Sequence, residues 1–138
     1  MKYMLDTNIC IYIIKKQPQD VLKKFKLFDV GDICISSITL AELIYGVEKS
    51  HHQKKNRAAL EEFILPLEIM FFDAGAAYYY GRIRAYLENK GLPIGPLDLM
   101  IAAHADCLNS ILVTNNTKEF SLIPRLKIEN WVTTHLGA

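Results

Sequence analysis

The chain has little of what would narrow its class at a glance. Only three of its 138 residues are cysteines, Cys10, Cys34 and Cys107. They are odd in number, widely spaced and form no CxxC pair, so neither a disulfide frame nor a zinc site is indicated. They read as small buried hydrophobes in a reducing cytoplasm. No apolar run approaches the roughly 20 residues that a membrane helix needs. The opening Met1-Lys2-Tyr3-Met4-Leu5-Asp6 reaches an acid too early for a signal peptide. There is no repeat, no low-complexity run and no linker, and the composition is not that of a disordered chain. Nor is there a charge excess. A formal net charge of +1 excludes a protein that grips nucleic acid through its overall field. Such contact would need a local basic rim. Lys15, Lys16, Lys23, Lys24 and Lys26 form one basic group, and Lys49, Lys54, Lys55 and Arg57 another. Both also read as solvated helix faces.

What the chain does have is apolar material. Hydrophobic residues make up 51%, including one Trp, six Phe and seven Tyr, enough for a core without staples. The length fits a single domain over 1–138. Short apolar runs alternate with helical stretches. Strands are expected at 3–5, ending at Asp6, and at 32–36, 68–72 and 110–113, with a short fifth at 128–130. Helices are expected at 8–15, from Pro18 onward, at 37–47 closing near Gly46, at 54–65 stopped by Pro66, and at 74–89 capped by Gly91. A last helix is opened by Gly95-Pro96 and runs to about Leu108. Strands alternating with helices predict a parallel sheet covered on both faces. In such sheets ligands sit beyond the carboxyl ends of the strands.

Acids are found at that edge. Asp6 ends the first strand. Glu42 lies in the first turns of the helix after the second strand, and Asp98 in the first turn of the helix opened by Gly95-Pro96. Thr114-Asn115-Asn116-Thr117-Lys118-Glu119 follows the fourth strand. Carboxylates gathered in one place repel unless a cation sits between them. Hard divalent ions with oxygen ligands suit such a cluster and assist phosphodiester cleavage. Each acid also has a plain structural reading. Asp6 could cap a helix, Thr39-Leu40-Ala41-Glu42 matches a capping box, Asp98 suits a helix dipole, and Glu119 could be an exposed loop acid. Their shared edge favours a functional site. His51-His52 lacks metal-ligand spacing and reads as a solvated turn. His104, six residues past Asp98, reads as a satisfied, partly buried histidine and not a base. Gly91, Gly95 and the nearby prolines read as turn punctuation.

Several segments resemble the motifs of PIN-domain toxins of the VapC type. Met4-Leu5-Asp6-Thr7-Asn8-Ile9 is similar to the family's opening. Ile35-Ser36-Ser37-Ile38-Thr39-Leu40-Ala41-Glu42-Leu43 with Gly46, and the run from Pro93 to Ala105 around Asp98, resemble its next two motifs. The run from Leu112 to Phe120 resembles the fourth motif, and Glu129-Asn130-Trp131 the close. The match runs in order over nearly the whole chain. It implies a three-layer αβα sandwich around a short parallel sheet, and a Mg²⁺-dependent endoribonuclease, with Mn²⁺ as an alternative metal. It implies a site of Asp6, Glu42 and Asp98, with Asp6 and Asp98 on the metal and Glu42 completing the shell or orienting water. Thr7 and Thr114 would support it. Many family members carry Asp where this chain has Asn116, so the fourth position stays open between Asn116 and Glu119. The resemblance also implies a VapB-type antitoxin partner, operator DNA bound only through that antitoxin, a homodimer, and structured RNA such as the anticodon arm of initiator tRNA as substrate. Two rivals stand beside it. A phosphatase with a nucleophilic Asp6 would want an acid at position 8, where Asn8 stands. An inert PIN-like binding module would have no need to keep Asp6, Glu42 and Asp98 together.

Overall fold

The computed structural model describes residues 2–133. Strand β1 (Tyr3–Leu5) leads into α1 (Thr7–Lys15) and α2 (Gln19–Leu27). A 3-10 turn (Val30–Asp32) then enters β2 (Ile33–Ser36), followed by α3 (Ser37–Glu48), α4 (Gln53–Ile64) and β3 (Glu68–Met70). The chain continues as α5 (Ala74–Asn89), α6 (Pro96–Cys107), β4 (Ile111–Val113), α7 (Thr117–Phe120) and β5 (Ile128–Glu129). The strands form one sheet in the order β3-β2-β1-β4-β5. Every pairing is parallel, with Met4 beside Cys34 on one side and Leu112 on the other.

The side-chain period of two splits the core into halves. Leu5, Ile33, Ile35 and Val113 face one layer, where they meet Ile9 and Ile13 of α1, Val21 of α2, Leu43 of α3, and Leu60 of α4. Met4, Cys34 and Leu112 face the other, against Leu87 of α5, Leu99, Ile101 and Ala102 of α6, and Phe120 of α7. Both halves are dry enough that each large aliphatic side chain contributes roughly 1.5–3 kcal/mol by leaving water. The result is the three-layer αβα arrangement. Among the described residues no helix is long and apolar enough to cross a membrane.

The boundaries differ from the sequence reading in instructive places. Phe71 and Phe72 lie outside β3. The Phe72 amide is taken by Ser37 Oγ at 3.0 Å, and Phe71 is exposed. Helix α3 runs through Gly46, where an added Cβ would meet nothing within 4 Å. Pro18 is the cap of α2 and not its first helical residue. Gly91 follows α5 with φ +69, a conformation open to glycine at little strain. Helix α7 has no counterpart in the sequence reading. Cys10 and Cys34 are buried as expected, but Cys107 is only half-buried, and all three are free thiols.

The chain builds outward from β1 through β2 to β3, then crosses back to place β4 on the opposite side of β1. The sheet therefore reverses its winding between β1 and β4, and a crevice opens at their carboxyl ends. The Asp6 amide donates to the Val113 carbonyl at 3.0 Å, fixing the two strand ends side by side. The helices that follow start from this edge and bring their first turns to it.

Candidate active site

Asp6 both ends β1 and starts α1. Its backbone is extended, and its Oδ1 accepts a 2.9 Å hydrogen bond from the Ile9 amide. It is thus a true helix cap, as its plain structural reading has it. It is also a carboxylate only 6% exposed, and capping alone does not require such burial. Burial is the largest influence on it and raises its pKa to about 6. The Thr114 hydroxyl and Ile9 amide pull the other way, and the charges of Asp98 and Glu42 add to the rise.

Glu42 does not form the expected capping box. The cap of α3 is Ser36, whose Oγ accepts from the Ile38 amide, so Thr39 lies inside the helix, buried, with its hydroxyl unpartnered among the described residues. Glu42 instead receives a 2.6 Å hydrogen bond from the Thr7 hydroxyl across the crevice. That bond fixes one carboxylate oxygen and leaves the other for chemistry. Asp98 occupies the first turn of α6, behind Gly95 and Pro96. Proline suits this position because its missing N–H is one the helix would leave unpaired. Asp98 is half-buried, and its pKa is raised by burial first, then by Glu119 and Glu42.

Asn116 and Glu119 act as one unit. Asn116 Nδ2 donates to Glu119 Oε2 at 2.8 Å, and the Asn116 amide donates to Thr114 Oγ1 at 2.9 Å. The side-chain amide thus holds the acid, and the acid is near enough to Asp98 to act on its carboxyl. The exposed-loop reading of Glu119 does not hold, because the side chain is half-buried. The seven residues that the sequence points to, Asp6, Thr7, Glu42, Asp98, Thr114, Asn116 and Glu119, all lie at this one edge.

His104 stands apart from the cluster. It is buried on α6, its Nδ1 is 2.8 Å from Ser36 Oγ, and Phe72 meets its ring edge-on. Burial dominates and lowers its pKa. It ties the helix that carries Asp98 to the strand end that carries α3. Nothing local in the sequence signals this brace, because its partners are 68 positions apart.

The donor set is entirely oxygen: four carboxylates with no thiol or imidazole among them. Beside burial, Asp98 and Glu42 strengthen the hold of Asp6 on its proton, and Glu119 and Glu42 that of Asp98, as neighbouring negative charges do. Among the described residues no three His, Cys, Asp or Glu side chains are arranged to enclose an ion by themselves. An all-oxygen donor set is of the type that suits hard divalent ions such as Mg²⁺ or Mn²⁺. Beside Glu42 a cavity of about 330 Å³ opens between α1, α3 and α4, lined by Ile11, Ile14, Lys15, Leu43 and Val47.

The chain is similar to known proteins along nearly its whole length. Residues 3–126 match the PIN domain family. The chain is 49% identical over 131 residues to the tRNA(fMet)-specific endonuclease VapC of Shigella flexneri, covering 95% of this chain and 98% of that one. It is 52% identical over 132 residues to Ribonuclease VapC2 of Rickettsia felis, with the same coverage of both chains. A solved structure of VapBC2 from Rickettsia felis bound to a DNA fragment from their promoter superposes with a TM-score of 0.90 at 50% identity. That match covers 96% of this chain and all of the other.

Proposed function

Because the chain belongs to the PIN-domain family, we propose that it is a VapC-type toxin: a metal-dependent endoribonuclease that cuts tRNA, with the anticodon arm of initiator tRNA as its target. The observation that carries this reading is the convergence of Asp6, Glu42, Asp98 and Glu119 at the strand ends, each within electrical reach of another. Asp6 and Asp98 would hold a Mg²⁺ or Mn²⁺ ion. When bound, that ion supplies positive charge that offsets the carboxylates and steadies the scissile phosphate. Glu42, fixed by Thr7, orients a water and takes its proton. The water oxygen bonds to phosphorus as the P–O3′ bond breaks, and the departing O3′ takes a proton from solvent, leaving a 3′-hydroxyl and a 5′-phosphate. Glu119, held by the Asn116 amide, adds a further negative charge beside Asp98. Lys15, beside Glu42, steadies the RNA backbone.

The same geometry accounts for control. The cavity is mostly apolar and has Glu42 in its lining, so a VapB-type antitoxin tail laid along it would cover that acid. Operator DNA would be bound through that antitoxin, in a hetero-oligomer built on a toxin homodimer. The freed toxin would act in the cytoplasm, where tRNA is found.

Expression of the chain alone in a bacterial host tests the reading. Growth should arrest, with initiator tRNA recovered as two fragments and other tRNAs intact. Coexpression of a VapB antitoxin encoded beside the chain should restore growth. Arrest with all tRNAs intact would refute the substrate, and normal growth with abundant folded protein would refute the toxin.

A further inference from the structure

A second cleft lies at the opposite end of α6 from Asp98. It has a volume of about 300 Å³ and is lined by Tyr79, Arg82 and Tyr86 of α5, Asp106 of α6 and Arg125 of the loop before β5. Tyr79, Arg82 and Tyr86 recur three and four residues apart and so share one helix face. The Arg82 guanidinium sits over the Tyr79 ring, 4.9 Å from its centroid. Arg125 adopts φ 67, a left-handed backbone that is uncommon outside glycine. Among the described residues neither arginine forms an ion pair with a carboxylate within 4.0 Å. Both act on Asp106, yet burial still outweighs them there and raises that acid's pKa. Two guanidiniums facing one carboxylate leave the cleft locally positive on a chain of net charge only +1.

We propose that this cleft is a second RNA contact, seating a ribonucleotide unit of the same RNA that the acid cluster cuts. The proposal rests on the ribonuclease reading. Its chemistry is specific to the ligand class. Guanidinium forks bind phosphate through two parallel hydrogen bonds. Tyrosine faces stack bases without regard to sequence. Asp106 can accept a hydrogen bond from a ribose 2′-hydroxyl, the group that separates RNA from DNA. Asp106 follows Asp98 by eight positions on α6, a rise of about 12 Å. An RNA that occupies both places must therefore extend well beyond the cut, as a folded tRNA does and a dinucleotide does not.

The test compares wild-type protein with Arg82→Gln/Arg125→Gln, which keeps much of each side chain's packing and removes both charges. The substrates are purified tRNA and a short RNA, the dinucleotide that holds only the bond that is cut. For tRNA, KM should rise about tenfold at unchanged kcat. The slope of log KM against log salt should fall by about 1–2, one for each phosphate that the variant no longer holds. For the short RNA, kcat/KM should not change. An unchanged KM and salt slope for tRNA in the variant would overturn the second contact. So would an equal loss on both RNAs. If the wild-type protein cuts no RNA of either kind, the ribonuclease reading itself fails, and the two failures are thereby told apart. Should the glutamine pair lower the melting temperature, Arg82→Lys/Arg125→Lys, which retains charge but not the fork, should show a smaller rise in KM on a stable fold. A lysine pair identical to wild type would then overturn the forked contact.

Discussion

Replacing Asp6 with Asn should make the protein more stable and, at the same time, inactive. The Asp6 carboxyl is almost wholly buried, and its pKa is raised from 3.8 to about 6, chiefly by that burial. The folded chain thus holds this proton more tightly than the unfolded chain does. The favourable contribution is fully present below about pH 4 and is lost as pH rises through about 6. A gap of that size corresponds to about 3 kcal/mol of destabilisation at neutral pH when no cation is bound. Asparagine keeps the helix cap, because its side-chain oxygen can still accept from Ile9, and it carries no charge. Urea melts at pH 8 in EDTA should show Asp6→Asn more stable than wild type by about 2 kcal/mol, with the gap closing toward pH 4. Added Mg²⁺ should stabilise wild type and leave the variant unmoved. A variant less stable than wild type at pH 8 would mean that the Asp6 charge is already compensated inside the fold.

Asp98→Ala should reduce RNA cleavage by about a thousandfold, as expected when a preorganised charge at the reacting phosphate is removed. Asp98 is half-buried at the helix start and feels the charges of Glu119 and Glu42, so its removal also relieves repulsion. The melting temperature therefore has little reason to fall. Asp98→Asn should be nearly as inactive, since it keeps the shape and loses the charge. Single-turnover cleavage of tRNA, read beside a thermal melt, checks both halves. An Asp98→Ala protein that keeps even a tenth of wild-type activity would move the reaction to other residues.

The sheet and its active edge are legible in the sequence because they rest on local signals. The 74–89 helix has the bounds read from the sequence, with Asp73 as the cap that the structure adds, and Gly95-Pro96 marks the start of α6. Parallel strands then require that Asp6, Asp98 and the segment after β4 meet. The contacts that complete the site are not legible in this way. Thr7 and Glu42 are 35 positions apart, and Ser36 and His104 are 68 apart; only the folded sheet brings them together. Local pattern puts Glu42 in a capping box because Ser36, Ser37 and Thr39 are all able caps and nothing nearby chooses among them. The fold selects Ser36, the residue at which β2 ends. Phe71 and Phe72 look like strand by propensity, but Ser37 and the Asp73 cap take the chain away from the ladder. Helix α7, at four residues, is too short to carry a period. The hydrogen bond from the Asn116 amide to the Glu119 carboxylate is likewise invisible to local pattern.

The most direct test of the account is cleavage of purified initiator tRNA by the isolated, antitoxin-free protein, with Mg²⁺, with Mn²⁺ and with EDTA. The account predicts discrete cuts in either metal, bearing 3′-hydroxyl and 5′-phosphate ends, and none in EDTA. Intact tRNA in all three conditions with a folded protein, or the same cuts persisting in EDTA, would contradict it.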